Sequence, residues 1–108
     1  MTSGMPTKTD KVFETIVKFA QSKKTPTYKD ISSAVHLHWR TQIPLRLYAI
    51  WQWCENKHIP HLNAIVVNKK SKLPGKGYTP NGQQLTKTTF PLVRDNIFNF
   101  DWNKVKFP

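Results

Sequence analysis

The chain has 108 residues, with 17 Lys+Arg against 6 Asp+Glu and a formal net charge of +11 at pH 7. Its length suits one domain, and 38% hydrophobic residues, including 4 Trp, 3 Tyr and 6 Phe, suffice for a packed core, which excludes a purely disordered basic tail. No run approaches the roughly 18 apolar residues that cross a bilayer, and a single cysteine, Cys54, excludes an internal disulfide.

Residues 1–8 read as a flexible tail, and 9–108 as one domain. Thr7 and Asp10 have the spacing of a helix-start signal. Val12, Phe13, Ile16, Val17 and Ala20 then recur at helical period, which predicts a first amphipathic helix of about three turns. Pro26 breaks it. Thr27 and Asp30 repeat the start signal, and Ile31, Ala34 and Val35 predict a second helix over 28–35. Pro44 is best placed in a first turn, so a third helix begins within 41–43 and ends near Asn56 and Lys57. Ile43, Leu47, Ile50 and Cys54 form its inner face, broadened by Leu45, Tyr48 and Trp51, with Trp53 further round toward solvent.

The periodicity then changes. Leu62 to Val67 is a short apolar run rich in β-branched residues and predicts a buried strand. Pro74, Gly75 and Gly77 predict a turn, and Tyr78 and Thr79 the start of a returning strand. Thr89 and Pro91 open a last helix carrying Leu92, Val93, Ile97 and Phe98, after which Phe100 and Trp102 fold back on the core. Three helices, a β-hairpin with a basic tip and a C-terminal helix predict an α+β fold of the winged helix-turn-helix type. In such a fold the third helix lies in the major groove and the hairpin tracks a phosphate backbone.

A pI of about 10.1 favours a polyanionic partner. The charge is also unevenly placed: no acid falls between Asn56 and Arg94, a window that holds Lys57, Lys69, Lys70, Lys72, Lys76, Lys87 and Arg94. Lys69, Lys70, Lys72 and Lys76 surround Pro74-Gly75, where flexible ammonium groups can pair with phosphates. Arg40 and Arg46 are the candidates for groove contact by the third helix. Thr27, Tyr28 and Lys29 stand at the second helix's start, where free backbone N–H groups favour a phosphate.

The segment TPTYKDIS resembles the Thr-Tyr-x-Asp-Ile-Ala start of the second helix in the DNA-binding domain of O6-alkylguanine-DNA alkyltransferases and alkyltransferase-like proteins. IPHLNAIVV stands where that family has its Ile-Pro-Cys-His-Arg-Val-Val strand. The resemblance covers about half of the chain. It implies a winged-helix fold and DNA contact, with Arg46 near the family's arginine finger, Asn56 near its turn asparagine and Asn63 at the reactive position. The Pro-Cys-His-Arg core is absent, so no alkyl transfer to cysteine is expected. LNAIVVNKKSKLPGKGY also resembles small bacterial and phage proteins, which implies no function.

Chemistry beyond binding finds little support. Cys54, His58 and His61 have ligand-like spacing, yet the paired thiolate knuckles of a structural zinc site are missing, and no metal or other cofactor is expected. Asp10, Glu14, Asp30, Glu55, Asp95 and Asp101 are scattered, without the cluster a metal-dependent nuclease needs. The expectation is a cytoplasmic, non-enzymatic protein whose partner is DNA and not a membrane. RNA is an alternative partner. Two alternative functions are a phage or mobile-element inhibitor of a host protein, and recognition of a modified base without repair.

Overall fold

A computed structural model describes residues 5–108. Among these, four α-helices carry the fold: α1 (Thr9–Gln21), α2 (Tyr28–Val35), α3 (Ile43–Lys57) and α4 (Phe90–Asn99). Short 3₁₀ turns lie at Leu62–Ile65, Pro80–Gly82 and Trp102–Lys104. Of the tail expected over 1–8, residues 1–4 lie outside the described residues. No helix is long and apolar enough to cross a membrane among those described.

Helix α1 buries Val12, Phe13, Ile16 and Ala20, as its period requires. Its expected start signal is not used. Lys8 occupies the N-cap in the left-handed region at φ 64 with no side-chain cap, because the Thr7 hydroxyl and carbonyl accept from Arg46 instead. Helix α2 has the predicted bounds and a complete capping box. Asp30 N–H donates to Thr27 Oγ1 at 3.2 Å, and Thr27 N–H donates to Asp30 Oδ2 at 2.9 Å. Helix α3 carries Pro44 in its first turn and buries Ile43, Leu47, Ile50 and Cys54. Leu45 and Tyr48 do not broaden that face; they stay exposed. Trp102 closes the C-terminal end, buried with its Nε1–H donating to Ile97 O at 2.8 Å.

The winged-helix expectation fails at the wing. No strand pair forms among the described residues, and the fold is helical rather than α+β. Leu62–Ile65 coils as a 3₁₀ turn between α1, α3 and α4. Its sheet character is limited to one isolated parallel bridge between Thr27 and Val67. The cause is burial on every side: all six residues from Leu62 to Val67 are buried. A half-exposed hairpin strand alternates inward and outward side chains, and this segment has no outward set. Surrounded by helices, it has no neighbouring strand to satisfy its backbone, so it closes local bonds. Ala64 N–H donates to His61 O at 2.9 Å and Val66 N–H to Asn63 O at 3.2 Å. Val67 N–H reaches Pro26 O at 2.9 Å, which ties the exit of α1 to the basic loop that follows. That loop, 68–77, is held by Asn68 N–H to Leu73 O and Lys72 N–H to Asn68 O, both at 2.9 Å.

Candidate functional site

The bond between Val67 and Pro26 lies beside the place where the cations meet. There Lys23 and Lys24, at the exit of α1, stand beside Lys70 and Lys72 of the 68–77 loop. Lys87 and α4's Arg94 complete the other wall of one open groove of about 900 Å³. The only acid lining it is Asp95, paired with Arg94 at 3.0 Å. The other ion pair among the described residues, His61 with Glu55, lies elsewhere, so the five groove lysines have no carboxylate partner there.

An adjoining cleft of about 450 Å³ shares Lys72 and gathers Thr27, Tyr28, Lys29, Trp39 and Lys69, with the capping carboxylate of Asp30 as its one acid. Trp39 is flanked by two cations, Lys29 Nζ at 5.3 Å and Arg40 Cζ at 5.1 Å from the ring centroid. Such a cation-bearing indole offers a flat apolar surface inside a positive field.

A third concavity, about 280 Å³, lies between α2, α3 and the end of the basic loop. Tyr48, Trp51 and Tyr78 give it aromatic walls, Leu47 an apolar side, and Asn63 and Lys76 its polar groups. Trp51 meets Tyr78 edge-on, with centroids 4.9 Å apart and planes at 71°. Asn63 is 5% exposed, and its Oδ1 is buried without a hydrogen-bond partner. Tyr28 stands between this pocket and the Trp39 cleft and lines both. Burial raises its phenol pKa, partly offset by a backbone hydrogen bond with Gly75.

The walls of the pocket are fixed from behind. His61 Nε2 lies 2.7 Å from Glu55 Oε1 and His61 Nδ1 2.6 Å from the Tyr78 hydroxyl. With the carboxylate accepting from Nε2–H, Nδ1 accepts from the Tyr78 O–H, so that hydroxyl donates away from the pocket. Burial is also the main cause raising the Tyr78 phenol pKa, reinforced by Cys54 and Glu55.

Nine of the ten candidate residues read from the sequence therefore gather around the 68–77 loop: Thr27, Tyr28 and Lys29; Lys69, Lys70, Lys72 and Lys76; Arg40 over Trp39; and Asn63 beneath the loop's end. Arg46 is the exception. It is 5% exposed, with its guanidinium consumed internally. Nε donates to Thr7 O at 3.0 Å, and Nη1 to Gln42 Oε1 at 2.6 Å and Gln42 O at 3.1 Å. A buried guanidinium bonded to neutral oxygens staples the chain before α1 to α3 and touches no groove. The exposed residues of α3, including Leu45, Tyr48 and Gln52, carry no cation before Lys57 in the last turn.

Trp51 and Trp53 are both half-buried and both pack against the core. Trp51, assigned to the core, is half-buried against the pocket. Trp53, expected toward solvent, packs on Phe13 at 5.5 Å and Phe107 at 4.8 Å. Cys54 is fully buried, and burial pushes its thiol up to about 11, so it is protonated at neutral pH and a poor nucleophile. His61 turns to Tyr78 and Glu55 rather than joining Cys54 and His58 around an ion. No group of three metal-ligating side chains assembles among the described residues.

Sequence reasoning missed Lys23 and Lys24, whose only signal was adjacency to Pro26. It also read Lys87 and Arg94 as part of a positive window without placing them in a site. Compared with known proteins, the chain matches no family model, no curated protein and no solved structure.

Proposed function

We propose that this is a non-enzymatic nucleic-acid-binding protein that holds a phosphate backbone, duplex DNA in the first instance, along the basic face built around the 68–77 loop. One observation carries the reading. Three stretches of chain, the exit of α1, the 68–77 loop and the run into α4, converge to put Lys23, Lys24, Lys70, Lys72, Lys87 and Arg94 around one groove with a single acid. Like charges gathered in this way repel one another in the free protein. A polyanion neutralises them and releases its own condensed counterions in exchange. Lys29, Arg40 and Lys69 extend the same face past Trp39. The phosphate contacts come from the loop and from the helix ends rather than from α3, whose Arg46 is buried.

The test is an anisotropy titration with duplex DNA, single-stranded DNA and duplex RNA of equal length across a salt series. The reading expects submicromolar duplex binding that weakens steeply with salt. No binding at low salt overturns it. Preference for duplex RNA keeps the groove and changes the partner. Recognition of a modified base, which the alkyltransferase-like resemblance implies, is read in the same titration from a duplex carrying an alkylated guanine. The inhibitor reading looked for an exposed aromatic cluster at Trp53 and Trp39. Both are half-buried: Trp53 packs on Phe13 and Phe107, and Trp39 bears Lys29 and Arg40.

A further inference from the structure

Trp102 is buried in the core, and Trp51 and Trp53 pack against it. Among the described residues, Trp39 is the one tryptophan outside both the core and its packed shell. It follows α2 on the way to α3, half-buried, and lines the cleft of Lys29, Lys69 and Lys72. Three exposed side chains approach its ring. Lys29 Nζ lies 5.3 Å and Arg40 Cζ 5.1 Å from the centroid, and the His38 ring is nearly parallel at 6.2 Å. Hydrophobic stabilisation comes from burial against the core, so the fold gains little from an indole at this place.

We infer that Trp39 stacks an unpaired nucleobase, so that the protein prefers a site where a duplex opens into a single strand. This deepens the nucleic-acid reading and rests on it for the class of ligand. Three arguments lead there. Bases inside a duplex cover one another's faces, so a flat indole can stack only where a base is unpaired, and such stacking takes any base. The cleft is also continuous with the basic groove, because Lys72 lines both. A backbone followed along the groove therefore enters the cleft, where phosphates on Lys69 and Lys72 bring an opened strand's bases to Trp39. Finally, cations over an exposed ring are weakly held. A stacked base gains more, and the displaced Lys29 and Arg40 regain partners in the strand's phosphates. The cleft's one acid, Asp30, is held by the capping box, accepting from Thr27 N–H at 2.9 Å.

The test is anisotropy with the full chain and three DNA ligands built on one duplex. The first is blunt. The second carries a short run of unpaired thymidines, at the 3′ or the 5′ end. The third has abasic residues in place of those thymidines, which keeps every phosphate and removes the bases. At one polarity at least, the thymidine overhang is expected to bind about tenfold more tightly than the abasic one, the size of one base stacked on an aromatic ring. Within Trp39→Leu that ratio is expected to fall to one, whereas Trp39→Phe keeps most of it because a smaller ring still stacks. Quenching of tryptophan emission by the thymidine overhang should be weaker in Trp39→Phe than in the original chain. Both variants should melt within a few degrees of it, since Trp39 is not part of the core.

Equal affinity for the two overhangs at both polarities, or a ratio that survives Trp39→Leu, overturns the inference. If the blunt duplex still binds with a steep salt slope, the basic-face reading stands without it. If none of the three ligands binds at low salt, both fall together.

Discussion

The basic groove and the Asn63 pocket share one loop and are built by opposite physics. The groove is cationic, open to water and lined by five lysines that have no carboxylate partner there, with Arg94 alone paired, to Asp95. The pocket is aromatic, and its one buried acceptor is held in place by packing. A phosphate backbone suits the first because ammonium groups tolerate variable geometry. An unpartnered buried amide sets a narrow requirement that few ligands meet. The groove is thus expected to answer to salt, and the pocket to the packing of its walls. Changes that move one property and leave the other in place sharpen this contrast.

The largest effect is expected from the groove. If its six cations each neutralise a phosphate, duplex affinity falls by about a thousandfold between roughly 50 and 200 mM salt. Replacing Lys70 and Lys72 together by Glu lowers the slope of log affinity against log salt by about two, since each lost contact removes about 0.9. It also weakens binding at every salt concentration. Anisotropy of the double variant checks this, and an unchanged slope excludes the loop from the interface.

Arg46 separates charge from position. Arg46→Met keeps most of the buried stem but leaves Thr7 and Gln42 without their charged donor. It is expected to cost roughly 2–3 kcal/mol and lower Tm by roughly 10 °C or more. The salt slope of duplex binding should not change. Thermal melting and anisotropy on one sample give both answers, and a shallower slope would return Arg46 to the interface.

Arg46 also shows where sequence reasoning stops. Its spacing placed it early in α3, and that was right. Whether its face met solvent depended on the segment before α1, which no periodicity describes. The helices were legible because period and caps are local: Thr27 and Asp30 fixed the start of α2, and Pro44 that of α3. The 62–67 run was misread for a matching reason. Continuous apolar β-branched residues indicate burial on all sides, which a strand or a 3₁₀ turn satisfies equally, and the choice lay with neighbouring helices. The lysines of the loop were legible as a cluster. Their meeting with Lys23 and Lys24 is a tertiary contact between the exit of α1 and the loop, which no local pattern encodes. Asn63 was singled out by resemblance alone, and its unpaired oxygen is a property of packing.

Asn63→Leu tests the pocket through stability. An apolar side chain of similar shape removes a buried polar atom that has no partner, so the variant is expected to gain about 1 kcal/mol and roughly 4–8 °C in Tm. A residue kept for packing would give the opposite sign. Thermal melting without ligand decides it, and a fall in Tm would mean that the amide is satisfied in the free protein.

The smallest effect is expected at Gly75, where the two regions join. A Cβ on Gly75 would collide with the Tyr28 hydroxyl, whereas one on Gly77 meets nothing. Neither glycine has positive φ, so alanine brings no backbone strain at either. Gly75→Ala gains a few tenths of a kcal/mol from a less flexible unfolded chain and loses a comparable amount in moving the Tyr28 ring. Tm should therefore shift by only a few degrees. The displaced ring narrows the passage between the pocket and the Trp39 cleft, while the affinity for duplex and its salt slope should hold. Gly77→Ala, two residues along the same loop, should change neither. If both alanines shift Tm equally, the loop acts through its flexibility and not through the contact between Gly75 and Tyr28.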